Sequence, residues 1–175
     1  AIYNFTGPQG FGIANMADSL YAIKTLVFDK KEVTLAEYKQ ALEENYGKGL
    51  DAEKTQKVVA EVVKELTAAG RKVTEEEIAA AVGSLVQGSD KYEKLLEKID
   101  EVPKFGNDIP EVDAFARDVE YTYAKPLETY KNPRGGMFQA GMYPVSANVP
   151  LGAQTGATPD GRLAGKPVAD GVSPS

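Results

Sequence analysis

The chain contains no cysteine, no histidine and no tryptophan. Without cysteine there is no disulfide framework and no thiolate nucleophile, and a zinc site of the usual Cys/His type is excluded. A Ser-His-Asp triad is excluded on the same ground. General acid–base work would fall to Asp, Glu, Lys or Tyr. No run of about 18 apolar residues occurs, so no membrane-spanning helix is expected. Ala1-Ile2-Tyr3-Asn4 has neither a basic n-region nor an apolar h-region, so no signal peptide is expected. Positive charge is also in short supply. The 20 Lys+Arg are outnumbered by 26 Asp+Glu, for a formal net charge of -6. That argues against a nucleic-acid surface, which needs clustered Lys and Arg to neutralise phosphates.

What is present is a chain of 175 residues, 42% hydrophobic, with a mean hydropathy of -0.33. That is enough for one globular domain or slightly more, and is neither disordered nor membrane-like by composition. Its two parts differ. Residues 132–175 hold 8 of the 17 Gly and 6 of the 10 Pro. The pattern predicts a helix-rich body followed by a turn-rich, extended tail.

In the body, Ile13, Met16, Leu20, Ile23 and Val27 recur at helical spacing. Tyr21, Leu26 and Phe28 widen the apolar face, so this helix should be buried on most sides. Thr34 with Glu37 forms a capping box ahead of Leu35, Tyr38 and Leu42, and Gly47 and Gly49 should end that helix. Asp51 opens a further helix carrying Val59, Val62, Val63 and Leu66, with Gly70 as its stop. A second capping box, Thr74 with Glu77, leads into Ile78, Ala81, Val82 and Leu85. Ser89 or Asp90 starts a helix through Tyr92, Leu95, Leu96 and Ile99 that stops before Pro103. A last long helix should run from Pro110 to about Tyr130, kinked or ended at Pro126.

In the tail, two short apolar stretches, Met142–Val145 and Asn148–Leu151, leave room for one or two short strands at most, given Pro144 and Pro150. Thr158-Pro159-Asp160-Gly161 is a β-turn signal. Such a long irregular segment, with Met137, Phe138, Met142, Tyr143, Val145, Val149 and Leu151 in it, is expected to lie against protein outside this chain.

Several segments could carry chemistry. Gly7-Pro8-Gln9-Gly10-Phe11-Gly12 could hold an anion on free backbone N–H groups. It matches neither the dinucleotide fingerprint nor a P-loop, and a tight turn with close backbone packing is favoured. Asn107, Asp108 and Asp113 read as helix capping and macrodipole matching. Asp100-Glu101 and Glu75-Glu76-Glu77 read as solvated faces. Arg134 and Arg162 could clamp a ligand carboxylate, or tie loops together through backbone carbonyls, which is favoured. Tyr143 and Val145 would share one side of an extended strip, as a pocket lining or as core.

Together and in order, a series of segments carries a resemblance. It runs from Tyr3-Asn4-Phe5-Thr6-Gly7-Pro8-Gln9-Gly10-Phe11-Gly12-Ile13-Ala14-Asn15 through Ala17-Asp18-Ser19-Leu20 and Ala22-Ile23-Lys24 to Pro103-Lys104-Phe105-Gly106-Asn107-Asp108. Asn132-Pro133-Arg134-Gly135-Gly136, Tyr143-Pro144-Val145-Ser146-Ala147-Asn148-Val149-Pro150, Thr155-Gly156-Ala157-Thr158-Pro159-Asp160-Gly161-Arg162 and Asp170-Gly171-Val172-Ser173-Pro174 complete it. The series resembles the C-terminal third of glycyl radical enzymes of the pyruvate formate-lyase (formate acetyltransferase) type, in the branch of the glycerol/propanediol and hydroxyproline dehydratases. It covers residues 1–47 and 99–175, and leaves 48–98 as a variable insertion of amphipathic helices.

The resemblance implies an α/β fold, in which this chain is a helix-rich fragment of a ten-stranded barrel with an irregular Gly/Pro-rich C-terminal segment. Residues 1–175 would all belong to that one domain. It implies a glycyl radical in an Arg-Val-x-Gly-Tyr-like loop and a cysteine in a Gly-Cys-x-Glu-like loop, with a nearby Glu as base. Neither loop is in this chain, so the fragment would lie between them and be inactive alone. Tyr143 and Val145, with Ala147 as the next same-facing position, would line the substrate pocket. The parent would cleave a C–O bond in a small polyol or hydroxylated substrate. It would bind no cofactor itself, its glycyl radical being installed by a radical S-adenosylmethionine activase. It would be a bacterial, oxygen-sensitive, cytoplasmic homodimer, with a microcompartment as a further setting, and would involve neither nucleic acid nor membrane. The rivals are a C–C cleaving relative (formate C-acetyltransferase or decarboxylase) and a non-catalytic acidic helical interaction module.

Overall fold

The structure is a computed structural model, and it describes residues 4–48, 60, 63–64, 74, 90–142 and 146–174. Among these, helices dominate. They are α1 (Ile13–Ile23), α2 (Leu35–Glu43), α3 (Glu93–Asp100), α4 (Pro110–Leu127) and α5 (Asn148–Ala153). No helix among the described residues is long and apolar enough to cross a membrane.

The first helix forms where its periodicity predicts, from Ile13. It continues past Ile23 as a π-helical turn, Lys24–Asp29, so the expected end near Phe28 holds while the winding loosens. The capping box is present in full. The Glu37 backbone N–H donates to Thr34 Oγ1 (3.2 Å), and the Thr34 backbone N–H donates to Glu37 Oε2 (2.8 Å). This satisfies two donors that a helix start otherwise leaves open. α2 ends earlier than Gly47, because Asn45 and Tyr46 enter the left-handed region (φ 50 and 52) and close a 3-10 turn, Asn45–Gly47. Asp90–Tyr92 forms a 3-10 turn leading into α3, and α4 starts at Pro110 as expected. Pro126 sits next to the last residue of α4 and marks its end rather than a kink.

α1 lies along α4. Both contribute small buried residues, Ala14 and Ala17 on one and Val112 and Ala116 on the other, which let the two backbones approach. Tyr21 meets Phe115 edge-on with ring centroids 5.4 Å apart. The main core gathers Ala22, Leu26, Tyr38, Ala41, Tyr46, Tyr92, Ile99 and Val102.

Two features mark the tail. First, its described residues fold back onto the body. Residues near Thr6 and Gln9 pair in parallel with Phe138 and Gly141. The ribbon is tied by Thr6 N–H to Met137 O (3.0 Å), Gln139 N–H to Thr6 O (2.9 Å) and Gly141 N–H to Pro8 O (2.8 Å). The reason is hydrogen-bond supply, since an irregular backbone must find partners and the body offers them. Its large apolar side chains are not covered in the same way: Met137, Val149 and Leu151 stay exposed. Second, Asn148–Leu151 is not extended but opens α5. Pro150 falls in the first turn, where its missing N–H breaks no intrahelical bond.

Two further expectations fail locally. Asn107 and Asp108 do not cap α4, whose N-cap is Ile109. Asn107 bonds Lys104 O instead (3.2 Å), and Asp108 takes a left-handed backbone (φ 57) that Asp tolerates. Asp113 does face the helix start, accepting from Gly106 N–H at 3.4 Å. Asp100 and Glu101 are solvated as expected. The expected helix from Asp51, the Thr74/Glu77 capping box with the stretch to Leu85, and Glu75-Glu76-Glu77 lie outside the described residues, apart from Ala60, Val63 and Lys64, which are helical, and Thr74.

Candidate functional site

Three polar residues, Asn15, Asp18 and Ser19, interrupt the otherwise apolar α1. Asn15 and Asp18 are both buried, at 6% and 0% exposure. A buried polar group costs free energy unless it is bonded, and both are. Asp18 Oδ1 accepts from the Phe105 backbone N–H at 2.7 Å, fixing the loop between α3 and α4 to α1. Asn15 bridges two parts of the tail. Its Nδ2 donates to Asp160 Oδ2 (2.6 Å), and its Oδ1 accepts from Ala169 N–H (2.6 Å).

The turn around Asp160 is held from several sides. Gly161 N–H donates to Thr158 O (3.0 Å) and Thr158 N–H to Arg162 O (3.0 Å), closing the turn that the Thr-Pro-Asp-Gly signal predicts. Thr158 Oγ1 donates to Asp160 Oδ1. Tyr38 and Tyr46, both buried, donate their hydroxyls to Pro159 O (2.6 Å) and Thr158 O (2.8 Å). Asn45 Oδ1 accepts from Ala164 N–H at 2.8 Å. Arg162 donates to four carbonyls: Leu163 (3.1 Å), Lys166 (2.6 Å), Thr155 (3.4 Å) and Gly156. The loop-tying reading of Arg162 therefore holds. Arg134 also ties loops, but through side chains: Nε donates to Asn4 Oδ1 (2.8 Å) and Nη2 to Thr6 Oγ1 (3.3 Å).

This hub borders a cavity of about 520 Å³ lined in part by Asn15, Lys104, Asp160, Arg162 and Asp170. Burial pushes the Lys104 amine below its ordinary value, opposed by the charges of Asp18, Asp160 and Asp100. Its Nζ donates to Ile99 O at 2.5 Å. Burial likewise lowers Arg162, with Asp160 opposing. Tyr38 and Tyr46 are both pushed up, first by burial and further by the charge of Asp160. Among the described residues no cluster of Asp, Glu, His or Cys could hold a metal ion. The arrangement is a hydrogen-bonded scaffold engaged largely with backbone.

What it positions is the start of α5. Val168 N–H donates to Asn148 O (3.2 Å). At Gly152 an added Cβ would come within 2.2 Å of Lys166 O, so only glycine lets α5 seat there. Ala147 is the N-cap of α5, half-buried, at φ -102 and ψ -1. It is not in an extended conformation, so it is not the next same-facing residue of an extended strip. Tyr143 and Val145 lie outside the described residues. The Gly7–Gly12 segment takes the close-packing role: a Cβ on Gly10 would meet Met142 Sδ at 2.5 Å, and Gly12 sits at φ 72 as the N-cap of α1.

Sequence reasoning passed over Asn15, Asp18, Tyr38 and Tyr46 as site residues. The signal was available for the first two, because an Asn and an Asp on a helix apolar on most sides must find buried partners.

The chain is thus a small helical scaffold whose turn-rich tail is knitted back by Asn, Tyr and Arg side chains. The chain belongs to the pyruvate formate lyase-like family, whose model matches residues 1–152. It is 60% identical, with a TM-score of 0.78, to a Roseburia inulinivorans structure described by its 1,2-propanediol dehydration, covering 97% of this chain and 21% of that one. It is 39% identical, with a TM-score of 0.72, to the glycerol-bound B12-independent glycerol dehydratase of Clostridium butyricum, covering 100% of this chain and 17% of that one. The probable dehydratase YbiW of Escherichia coli (strain K12) is 33% identical over 181 residues, 100% of this chain and 17% of that protein. The chain thus spans about a fifth or less of the length of these relatives.

Proposed function

We propose that this chain is one part of a glycyl radical dehydratase that cleaves a C–O bond in a small vicinal polyol. The observation that carries this reading is the 60% identity and TM-score of 0.78, along 97% of the chain, to a structure described by 1,2-propanediol dehydration. The chain has no cysteine, so the thiyl radical that abstracts hydrogen from substrate arises on a residue elsewhere in the longer polypeptide. The glycyl radical also resides elsewhere, installed by a radical S-adenosylmethionine activase. These 175 residues alone are inactive. The whole enzyme is a cytoplasmic homodimer. A ten-stranded barrel is its core, and the parallel ribbon of residues 6–9 and 138–141 supports this, because an isolated pair of parallel strands is marginal without neighbours.

In this reading the hub serves the substrate pocket indirectly. Tyr143 and Val145 line the pocket, the tyrosine hydroxyl contacting a substrate oxygen, and Ala147 borders it from the N-cap of α5. Asn15, Asp160 and Arg162 hold the tail that seats α5.

The test is to activate the longer polypeptide anaerobically with a radical S-adenosylmethionine activase and record its EPR spectrum and products. A glycyl radical signal with conversion of 1,2-propanediol to an aldehyde and water is expected. Absence of the signal after activation of a folded protein would overturn the reading. Formate or carbon dioxide as product would replace C–O cleavage by C–C cleavage.

A further inference from the structure

α1 is apolar around most of its circumference, the pattern of a helix enclosed on all sides. The structure buries seven of its eleven residues and leaves one ridge open. Ala14 and Ala17 are buried, while Met16 is 52% and Leu20 36% exposed. With the half-buried Ile23, these two form a ridge at i, i+4 and i+7. The ridge borders a groove of about 570 Å³, whose other wall includes Leu151 of α5, itself 44% exposed, with Pro159 and Val168. Among the described residues no charged one lines it.

We propose that this groove seats an uncharged, apolar helix supplied by the longer polypeptide, an inference that rests on the reading of the chain as one section of a larger enzyme. Three observations argue for that occupant. The chain covers only 17–21% of relatives that it matches along 97–100% of its own length, so most of such a protein lies outside these residues. A groove lined without charge favours an uncharged guest, since a buried unpaired charge is costly. Of the four polar side chains along the groove, three are already engaged: Asn15 with Asp160 and Ala169, Thr155 Oγ1 with Leu151 O, Thr158 Oγ1 with Asp160. The α1 wall is a helix with its backbone bonds made internally. A strand laid there would bury its own backbone N–H and C=O groups without partners, whereas a helix satisfies them itself.

The test uses the longer natural polypeptide. Its Met16 is oxidised with dilute peroxide, native and urea-unfolded, over a range of protein concentrations. In parallel, a photo-crosslinking benzoylphenylalanine replaces Leu20. The expected results are Met16 oxidation slowed about tenfold or more in the native protein at every concentration, and crosslinks to apolar residues spaced by three and four outside residues 1–175. Met16 as reactive in the native as in the unfolded protein would overturn the proposal. So would protection that fades on dilution, which would mean a second copy, or crosslinks at every second residue, which would mean a strand. Should the Leu20 variant fail to fold, the oxidation of the unaltered protein still decides. Neither measurement uses turnover, so an enzyme inactive on diols would overturn the dehydratase reading alone.

Discussion

Asn15 and Asp160 lie 145 positions apart in the chain, and the Nδ2 of one donates to the Oδ2 of the other at 2.6 Å. The same Asn15 side chain accepts from Ala169 N–H, so a single amide on α1 sets where two parts of the tail sit. Replacing Asn15 by Leu leaves both partners without their bond in a buried place. The expected cost is about 2–4 kcal/mol, from two lost buried bonds, read as a lower urea midpoint. Asn15→Asp keeps the acceptor for Ala169 but sets a second carboxylate against Asp160. It should destabilise at pH 7 and recover in part on acidification, as one of the pair takes up a proton.

Two adjacent glycines should behave differently. A Cβ on Gly136 would fall 1.3 Å from Asn4 O, a backbone atom with no freedom to move aside. Gly136→Ala should therefore dismantle the joint between residues 4–6 and 132–138, seen as fast amide hydrogen exchange at Thr6 and Gln139. Gly135 has a left-handed backbone (φ 84) with nothing within 4 Å of an added Cβ. Gly135→Ala should cost only the backbone strain, about 1–2 kcal/mol, with exchange at those amides unchanged.

Arg162→Lys keeps the charge and loses the fork. One ammonium cannot reach carbonyls of Leu163, Lys166, Thr155 and Gly156 together. A loss of about 0.5–1.5 kcal/mol is expected, the net scale of a hydrogen bond whose acceptor can turn to water. If thermal unfolding of the Lys variant matches the parent, the loop-tying role is wrong.

Alkaline pH should weaken the fold through two phenols. Burial, reinforced by the charge of Asp160, holds Tyr38 and Tyr46 above their ordinary 10.0. In the unfolded chain these phenols ionise from about pH 10 while the folded ones keep their protons. The folded state then binds more protons, so stability is intact below pH 10 and falls as pH rises beyond it. The slope should reach about 1.4 kcal/mol per pH unit for each phenol. Urea titrations at pH 8 and pH 11 test this. The double change Tyr38→Phe and Tyr46→Phe should flatten the alkaline loss, at about 1 kcal/mol each at neutral pH for the lost hydrogen bonds.

Local features were legible where their physics is local. The Thr34/Glu37 box, the Pro110 start, the stop before Pro103 and the Thr158–Gly161 turn all depend on residues within a few positions of one another, and each appears as expected. Asn148–Leu151 was read as extended because Pro150 and the flanking glycines look like strand breakers. In a first helical turn the same proline is tolerated, and six residues are too few for periodicity to decide. Asn107 and Asp108 look like caps, yet α4 starts at Pro110 with Ile109 as its N-cap.

The amino-acid sequence by itself determined what chemistry this chain lacks, where its helices begin, and which ordered series of turn motifs marks its family. Those follow from composition, short-range propensity and the order of residues. Only the tertiary structure decided that Asn15 and Asp18 are buried anchors, that the tail returns to the body through Asn15, Tyr38 and Tyr46, and that Met16 and Leu20 stay open on a helix apolar enough to be enclosed. These depend on contacts between residues 87 to 154 positions apart. Spacing along the chain carries no record of which distant backbone will answer a buried side chain.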